Sequence, residues 1–122
     1  MRSSIQDLPV AAEMPEGTIR QVNWGNMILE TGHIVKDGNG EELFKGLPDD
    51  RCQCPHWGYI IKGQMRFKFA DHEEVYNAGD VYYAAAGHIP YLSAGCEYIE
   101  LSPAEEYRKT MEVVSKNMSA GQ

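Results

Sequence analysis

Through the middle of the chain, apolar and polar residues alternate with a period of two, the spacing of strands that bury one face. The clearest case is residues 64–70, where Met65, Phe67 and Phe69 alternate with Gln64, Arg66 and Lys68. Residues 18–24 read as a first strand, stopped by the turn pair Gly25-Asn26, and residues 27–36 as a second. The second run puts Met27, Leu29, Thr31, His33 and Val35 on one side and Ile28, Glu30, Gly32, Ile34 and Lys36 on the other, so both of its faces are mixed. Asp37-Gly38-Asn39-Gly40 ends it, because these residues tolerate the left-handed backbone of tight turns. Residues 41–55 have no lasting period and read as a long loop or rim, a candidate lid. Short runs at 56–62, 73–76, 81–84, 88–92 and 96–101 follow, punctuated by Gly63, Asp71-His72, Asn77 to Asp80, Gly87 and Gly95. Short strands joined by turns imply a β-sandwich or barrel, and a parallel sheet with crossover helices does not fit.

The two ends follow other rules. Residues 1–17 contain Pro9, Pro15 and Gly17 and read as an irregular arm, part of which can pair with a sheet edge. After residue 101 the period changes: Tyr107, Met111, Val114 and Met118 form one apolar stripe of a helix. Ser102 as N-cap, Pro103 in the first turn and Glu105 closing a capping box place its start. The expected organisation is an arm over 1–17, a barrel over 18–101, a helix over 102–116 packed on the barrel and a flexible tail over 117–122.

Composition narrows the partners. With 122 residues the chain holds one domain with a core of its own. Its net charge of −7, with nine acidic residues in each half, leaves no basic stripe for nucleic acid and disfavours anionic membranes. No segment approaches the roughly 20 apolar residues needed to cross a bilayer, and the first ten residues lack the apolar run of a signal peptide. Three cysteines, Cys52, Cys54 and Cys96, are too few for a disulfide framework, so a reducing, cytoplasmic setting is expected. P-loop, dinucleotide, HExxH, EF-hand and serine-elbow patterns are absent from the sequence.

Two segments carry a family likeness. Cys54-Pro55-His56-Trp57-Gly58-Tyr59-Ile60-Ile61-Lys62-Gly63, and Gly79-Asp80 through Ala85-Ala86-Gly87-His88-Ile89-Pro90, resemble the two motifs of the cupin superfamily. The resemblance implies a cupin-type double-stranded β-helix, an all-β jelly-roll barrel, here with a C-terminal helix. It also implies a cavity that binds a small molecule and, in the usual case, a metal held by histidines and a glutamate. With Gly63 as the glycine that closes the first motif, the glutamate position falls on His56 and the histidine positions on Asp50 and Cys52. In the second motif Gly79 and Gly87 match, while Ala85 stands at the proline position and Pro90 at the histidine position. A second alignment keeps Cys54 and His56 at the spacing of the histidine pair, and Cys54 can bind metal as a thiolate.

The candidate site residues follow from both lines of reasoning. His56 opens an apolar strand after a proline, and His88 shares a face with Pro90, so this pair is expected to hold a divalent metal or move a proton. His33 and Cys54 are candidate further ligands, the metal being open among zinc, manganese, iron, nickel and copper. Cys52 and Cys96 can join such a site or be plain thiols, and His72 reads as an exposed turn residue. Trp57, Tyr59, Tyr82 and Tyr91 are candidates to line the ligand pocket, against the alternative that such rings fill the core. A small-molecule enzyme, acting as a metal-assisted oxygenase, isomerase or lyase, is the first functional reading. A non-catalytic binding or sensor protein and a structural protein remain alternatives, and a homodimer is expected in each case, because apolar strand faces are many for the chain's size.

Overall fold

The structure, a computed structural model, describes residues 1–120. Its strands are β1 (Val10–Met14), β2 (Gly17–Trp24), β3 (Met27–Ile34), β4 (Gly38–Asn39), β5 (His56–Lys62), β6 (Gln64–Lys68), β7 (Glu73–Asn77), β8 (Val81–Ala84), β9 (Ile89–Leu92) and β10 (Glu97–Pro103), followed by helix α1 (Ala104–Ala120). They form two sheets, ordered β1-β2-β3-β10-β5-β8 and β4-β9-β6-β7, in which all pairings are antiparallel. The architecture is an all-β jelly roll with a C-terminal helix.

Alternation decides what each strand gives to the space between the sheets. Met65 and Phe67 of β6 turn inward and meet Ile34, Ile60, Tyr76, Tyr82, Ala84, Cys96 and Tyr98 in the main core. Two glycines let aromatic rings lie flat on the neighbouring strand. Tyr98 of β10 stands opposite Gly32 of β3, and a Cβ there would sit 2.1 Å from its ring. Tyr82 of β8 stands opposite Gly58 of β5, where a Cβ would come within 2.3 Å of its ring.

Residues 41–55 are packed rather than open. Two 3-10 turns, Glu41–Phe44 and Pro48–Asp50, bring Phe44, Cys52 and Cys54 against Val114 of α1, with Leu43, Leu47, Tyr107 and Met111 around them. Asn117 pins the helix there by donating to the Leu43 and Lys45 carbonyls at 2.7 and 2.8 Å. The stripe Tyr107, Met111, Val114 and Met118 faces the barrel, as its spacing predicts.

The arm contains β1, which pairs with β2 through a register shift between Val10 and Ala12, so part of it extends the sheet edge as its sequence allows. The C-terminal end differs from the sequence expectation in two ways. Ser102 is not an N-cap: it and Pro103 belong to β10, and the helix begins at Ala104, whose N–H donates to the Asn26 carbonyl at 2.9 Å. The inward pull of β10 on a small hydroxyl outweighs the capping pattern, because Ser102 has a buried partner to serve. Residues 117–120, expected as a flexible tail, continue the helix, and the rest of that tail lies outside the described residues. Among the described residues no helix is long and apolar enough to cross a membrane.

Candidate metal centre and cavity

Three elements converge at one end of the barrel. His56 is the first residue of β5 and points inward by the same alternation that buries Ile60. Cys52 and His88 are clipped together by an isolated antiparallel bridge, with the Cys52 N–H donating to the His88 carbonyl at 2.8 Å and the Gly87 N–H to the Cys52 carbonyl at 2.7 Å. The ligand atoms of Cys52, His56 and His88 all lie within 4.8 Å of one another, and all three residues are buried. Cys52 Sγ is 3.8 Å from His56 Nε2, close to the roughly 3.6 Å between sulfur and nitrogen on a tetrahedral zinc.

The ring nitrogens farther from this point are already engaged. His88 Nδ1 is 2.6 Å from the Ala85 carbonyl, so it carries the proton, and its Nε2 is fully buried with no hydrogen-bond partner. His56 Nδ1 is 2.7 Å from Ser102 Oγ, leaving Nε2 toward Cys52. Phe67 stacks on His88 at 4.6 Å between ring centres and holds it in place. Burial pushes both imidazoles down to about 4; the Glu30 carboxylate opposes this at His56, whereas the His56 charge adds to it at His88. Both are therefore neutral near pH 7, the form that binds a metal. Burial pushes the Cys52 thiol up to about 12.

Behind the histidines lies a carboxyl pair. Glu30 and Glu100 stand opposite each other in the β3–β10 register, both facing inward. Glu30 accepts from Gln21 at 2.7 Å and from Tyr98 at 2.6 Å; Glu100 accepts from Tyr82 at 3.1 Å and lies 4.0 Å from His56 Nδ1. Burial pushes Glu100 up to about 7. Burial, and then the neighbouring Glu100 charge, also raises Glu30.

A cavity of about 410 Å³ joins these groups. Its wall is mostly apolar, with Ile19, Phe44, Met65, Phe67, Leu92 and Met111 prominent, and exposed Ala11 and Met118 mark where it meets solvent.

The other residues singled out from the sequence lie elsewhere. His33 is on the outer face of β3, its side chain 63% exposed and 3.3 Å from Glu97, because that side of the strand faces away from the barrel interior. Cys54 lines the cavity but stands outside the cysteine–histidine cluster, its Sγ donating to the Pro55 carbonyl at 3.5 Å. Trp57 and Tyr59 project from the outer face of β5, since His56, Gly58 and Ile60 take the inward positions. Tyr82 is buried in the core, stacked on Tyr76 at 4.2 Å, and is not part of the cavity wall. Tyr91 faces outward, its hydroxyl bonded to Glu41 and its ring under Lys68 at 4.3 Å.

Sequence reasoning overlooked Glu30 and Glu100. The available signal was their alternation with residues now seen to be inward: Glu30 with Ile28 and Gly32, Glu100 with Tyr98 and Ser102.

None of the protein-family models or curated proteins compared matches the chain. Solved structures do. A polyketide cyclase, RemF from Streptomyces resistomycificus, aligns with a TM-score of 0.60 at 14% identity over 85% of this chain and 79% of its own. An RmlC-like cupin from Shewanella frigidimarina aligns at 0.59 and 10% identity, covering 84% of this chain and 88% of that one. A Bacillus subtilis oxalate decarboxylase mutant aligns at 0.59 and 19% identity over 83% of this chain, which spans 28% of the decarboxylase. At these identities the likeness is one of fold.

Proposed function

We propose that this chain, a small cupin, is an enzyme that holds a divalent metal ion on Cys52, His56 and His88 and acts on a small organic compound in the adjoining cavity. The observation that carries this reading is His88 Nε2, buried, unpartnered, and close to two other ligand atoms. A polar atom left unsatisfied in a core costs about 1–3 kcal/mol, which a bound ion would offset. The donor set fits: two neutral imidazoles have their remaining nitrogens engaged by Ala85 and Ser102, and a thiol that a nearby ion would deprotonate completes it. Three protein ligands leave a coordination position open, as in catalytic sites.

A bound ion would supply Lewis acidity at the cavity's inner end. The chain's own residues supply the rest. Ser102 orients His56, the Glu30–Glu100 pair is placed to take or return a substrate proton, and the apolar wall excludes water from the reacting group. The solved structures of similar fold include two enzymes, a decarboxylase and a cyclase, which supports a catalytic over a structural role. A binding protein without turnover is the second reading, favoured by the largely apolar wall. Elemental analysis of untagged protein tests the proposal: about one divalent ion per chain is expected, and its loss in His88→Gln. Protein that stays metal-free when offered Zn²⁺, Fe²⁺, Mn²⁺ and Ni²⁺ would leave only the second reading.

We also propose that a second copy covers the outer face of β5, β8 and β10. The outward residues Trp57, Tyr59, Ile61, Val81, Tyr83, Ile99 and Leu101 carry no charge, and Val81 is 80% exposed. Their exposed area is on the order of 500 Å², enough to form the apolar centre of an interface burying ~800 Å² per partner. A dimer by light scattering that Val81→Glu converts to monomer is expected. A monomeric native chain at micromolar concentration contradicts it.

A further inference from the structure

We infer that the cavity selects uncharged or cationic, largely apolar compounds bearing a hydroxyl or amino group, and rejects carboxylates and phosphates. This deepens the proposed function and rests on the same cavity being the ligand site.

The first ground is charge. Among the described residues, no lysine or arginine lines the cavity, although the chain has 11 of them. The ionisable groups on its wall are Glu30, Glu100, His56, His88, Cys52, Cys54, Tyr98 and Tyr107, none of them a lysine or arginine. A divalent ion on Cys52, His56 and His88 would be half cancelled by the Cys52 thiolate. The two carboxyl groups, whatever share of protons they hold, add no positive charge. An anion entering this space would give up its hydration and find no positively charged side chain, and at most one net positive charge from a bound ion, to replace it.

The second ground is the direction of the hydrogen bonds. The wall's donors are already committed: Gln21 Nε2 to Glu30 and to the Tyr107 oxygen, the Tyr98 and Tyr107 hydroxyls to Glu30, and His88 Nδ1 to the Ala85 carbonyl. Acceptors remain. One oxygen of Glu100 accepts nothing from the protein among the described residues, and in the metal-free chain His88 Nε2 is without a partner as well. The Thr110 hydroxyl can act either way. A ligand that brings an O–H or N–H would satisfy these atoms, whereas a carboxylate or phosphate would set acceptor against acceptor.

The third ground is the body of the ligand. Met14, Met65, Met111 and Met118 line the cavity together with Phe44 and Phe67, a soft wall suited to an aromatic or branched apolar skeleton.

The test uses a pair of probes with one skeleton and opposite head groups, 4-ethylphenol and 4-ethylbenzoate, titrated calorimetrically at pH 7.5 against the full chain. Both the chelator-treated and the zinc-loaded protein are titrated. The phenol should bind at least tenfold more tightly than the benzoate in both forms. Glu30→Gln/Glu100→Gln, close in shape to the native pair, should narrow that ratio, and Leu92→Trp, which fills the cavity, should abolish phenol binding. Equal or tighter binding of the benzoate overturns the inference, as does failure of both probes to bind or phenol binding that survives Leu92→Trp. Metal content is read separately, so a benzoate preference in metal-replete protein would sink the inference alone. A tenfold phenol preference in protein that takes up no metal would sink the metal proposal alone.

Discussion

Acidification of the chelator-treated protein should weaken the fold through its two cavity imidazoles. His56 and His88 have an ordinary value of 6.5 and are held at about 4 in the folded chain. Between pH 6.5 and 4 the unfolded chain binds two protons that the folded chain refuses, so stability falls as pH falls. At about 1.4 kcal/mol per pH unit for each group, the pair loses roughly 6 kcal/mol between pH 7 and 4. Glu100 acts in the opposite sense. Raised from 4.5 to about 7, it keeps a proton in the folded state across a window where the unfolded chain has lost it. Acidification from pH 7 to 4.5 therefore returns on the order of 3 kcal/mol, and the raised Glu30 adds in the same direction. The net expectation is a loss of about 3 kcal/mol or less, a large share of the 5–15 kcal/mol typical of a domain. Urea unfolding at pH 7 and at pH 4, with EDTA present, measures it. The double variant His56→Gln/His88→Gln should reverse the sign, becoming more stable at pH 4.5 than at pH 7. If it still loses stability on acidification, the assignment of the acid sensitivity to these two rings is refuted.

Other expectations concern single contacts. Gly58→Ala drives a Cβ into the Tyr82 ring at 2.3 Å and should lower stability by about 3 kcal/mol in urea unfolding, the upper range for overpacking. Ser102→Ala removes the partner of His56 Nδ1 and should weaken Zn²⁺ binding about tenfold, read by competition with a chromogenic chelator. Its effect on the fold should stay near 1 kcal/mol.

Much of the barrel was legible because strand alternation is a local signal. Met65 and Phe67 face the core and the Tyr107–Met118 stripe faces the barrel, as their spacings require. The site was legible only in part, because convergence depends on which side of a strand faces the interior. In β3 both sides are mixed, and the side with Leu29 and Val35 looks more apolar than the side with Glu30 and Gly32. Apolarity therefore pointed to His33, whereas the structure turns Glu30 inward and leaves His33 outside. The choice between Cys52 and Cys54 turned on a non-local contact. Both thiols are buried two residues apart, and the bridge between Cys52 and His88 brings the former into the cluster. Ser102 matched a capping pattern, yet a buried imidazole 46 residues away claims its hydroxyl.

The central claim, a metal held by Cys52 together with His56 and His88, is tested most directly by the absorption spectrum of the Co²⁺-loaded protein. A thiolate ligand gives an intense near-ultraviolet charge-transfer band, and tetrahedral geometry gives strong visible bands. The account predicts both in the native chain and in Cys54→Ala, with the near-ultraviolet band lost in Cys52→Ala. A spectrum without the charge-transfer band in the native chain, or one that Cys52→Ala leaves unchanged, would contradict it.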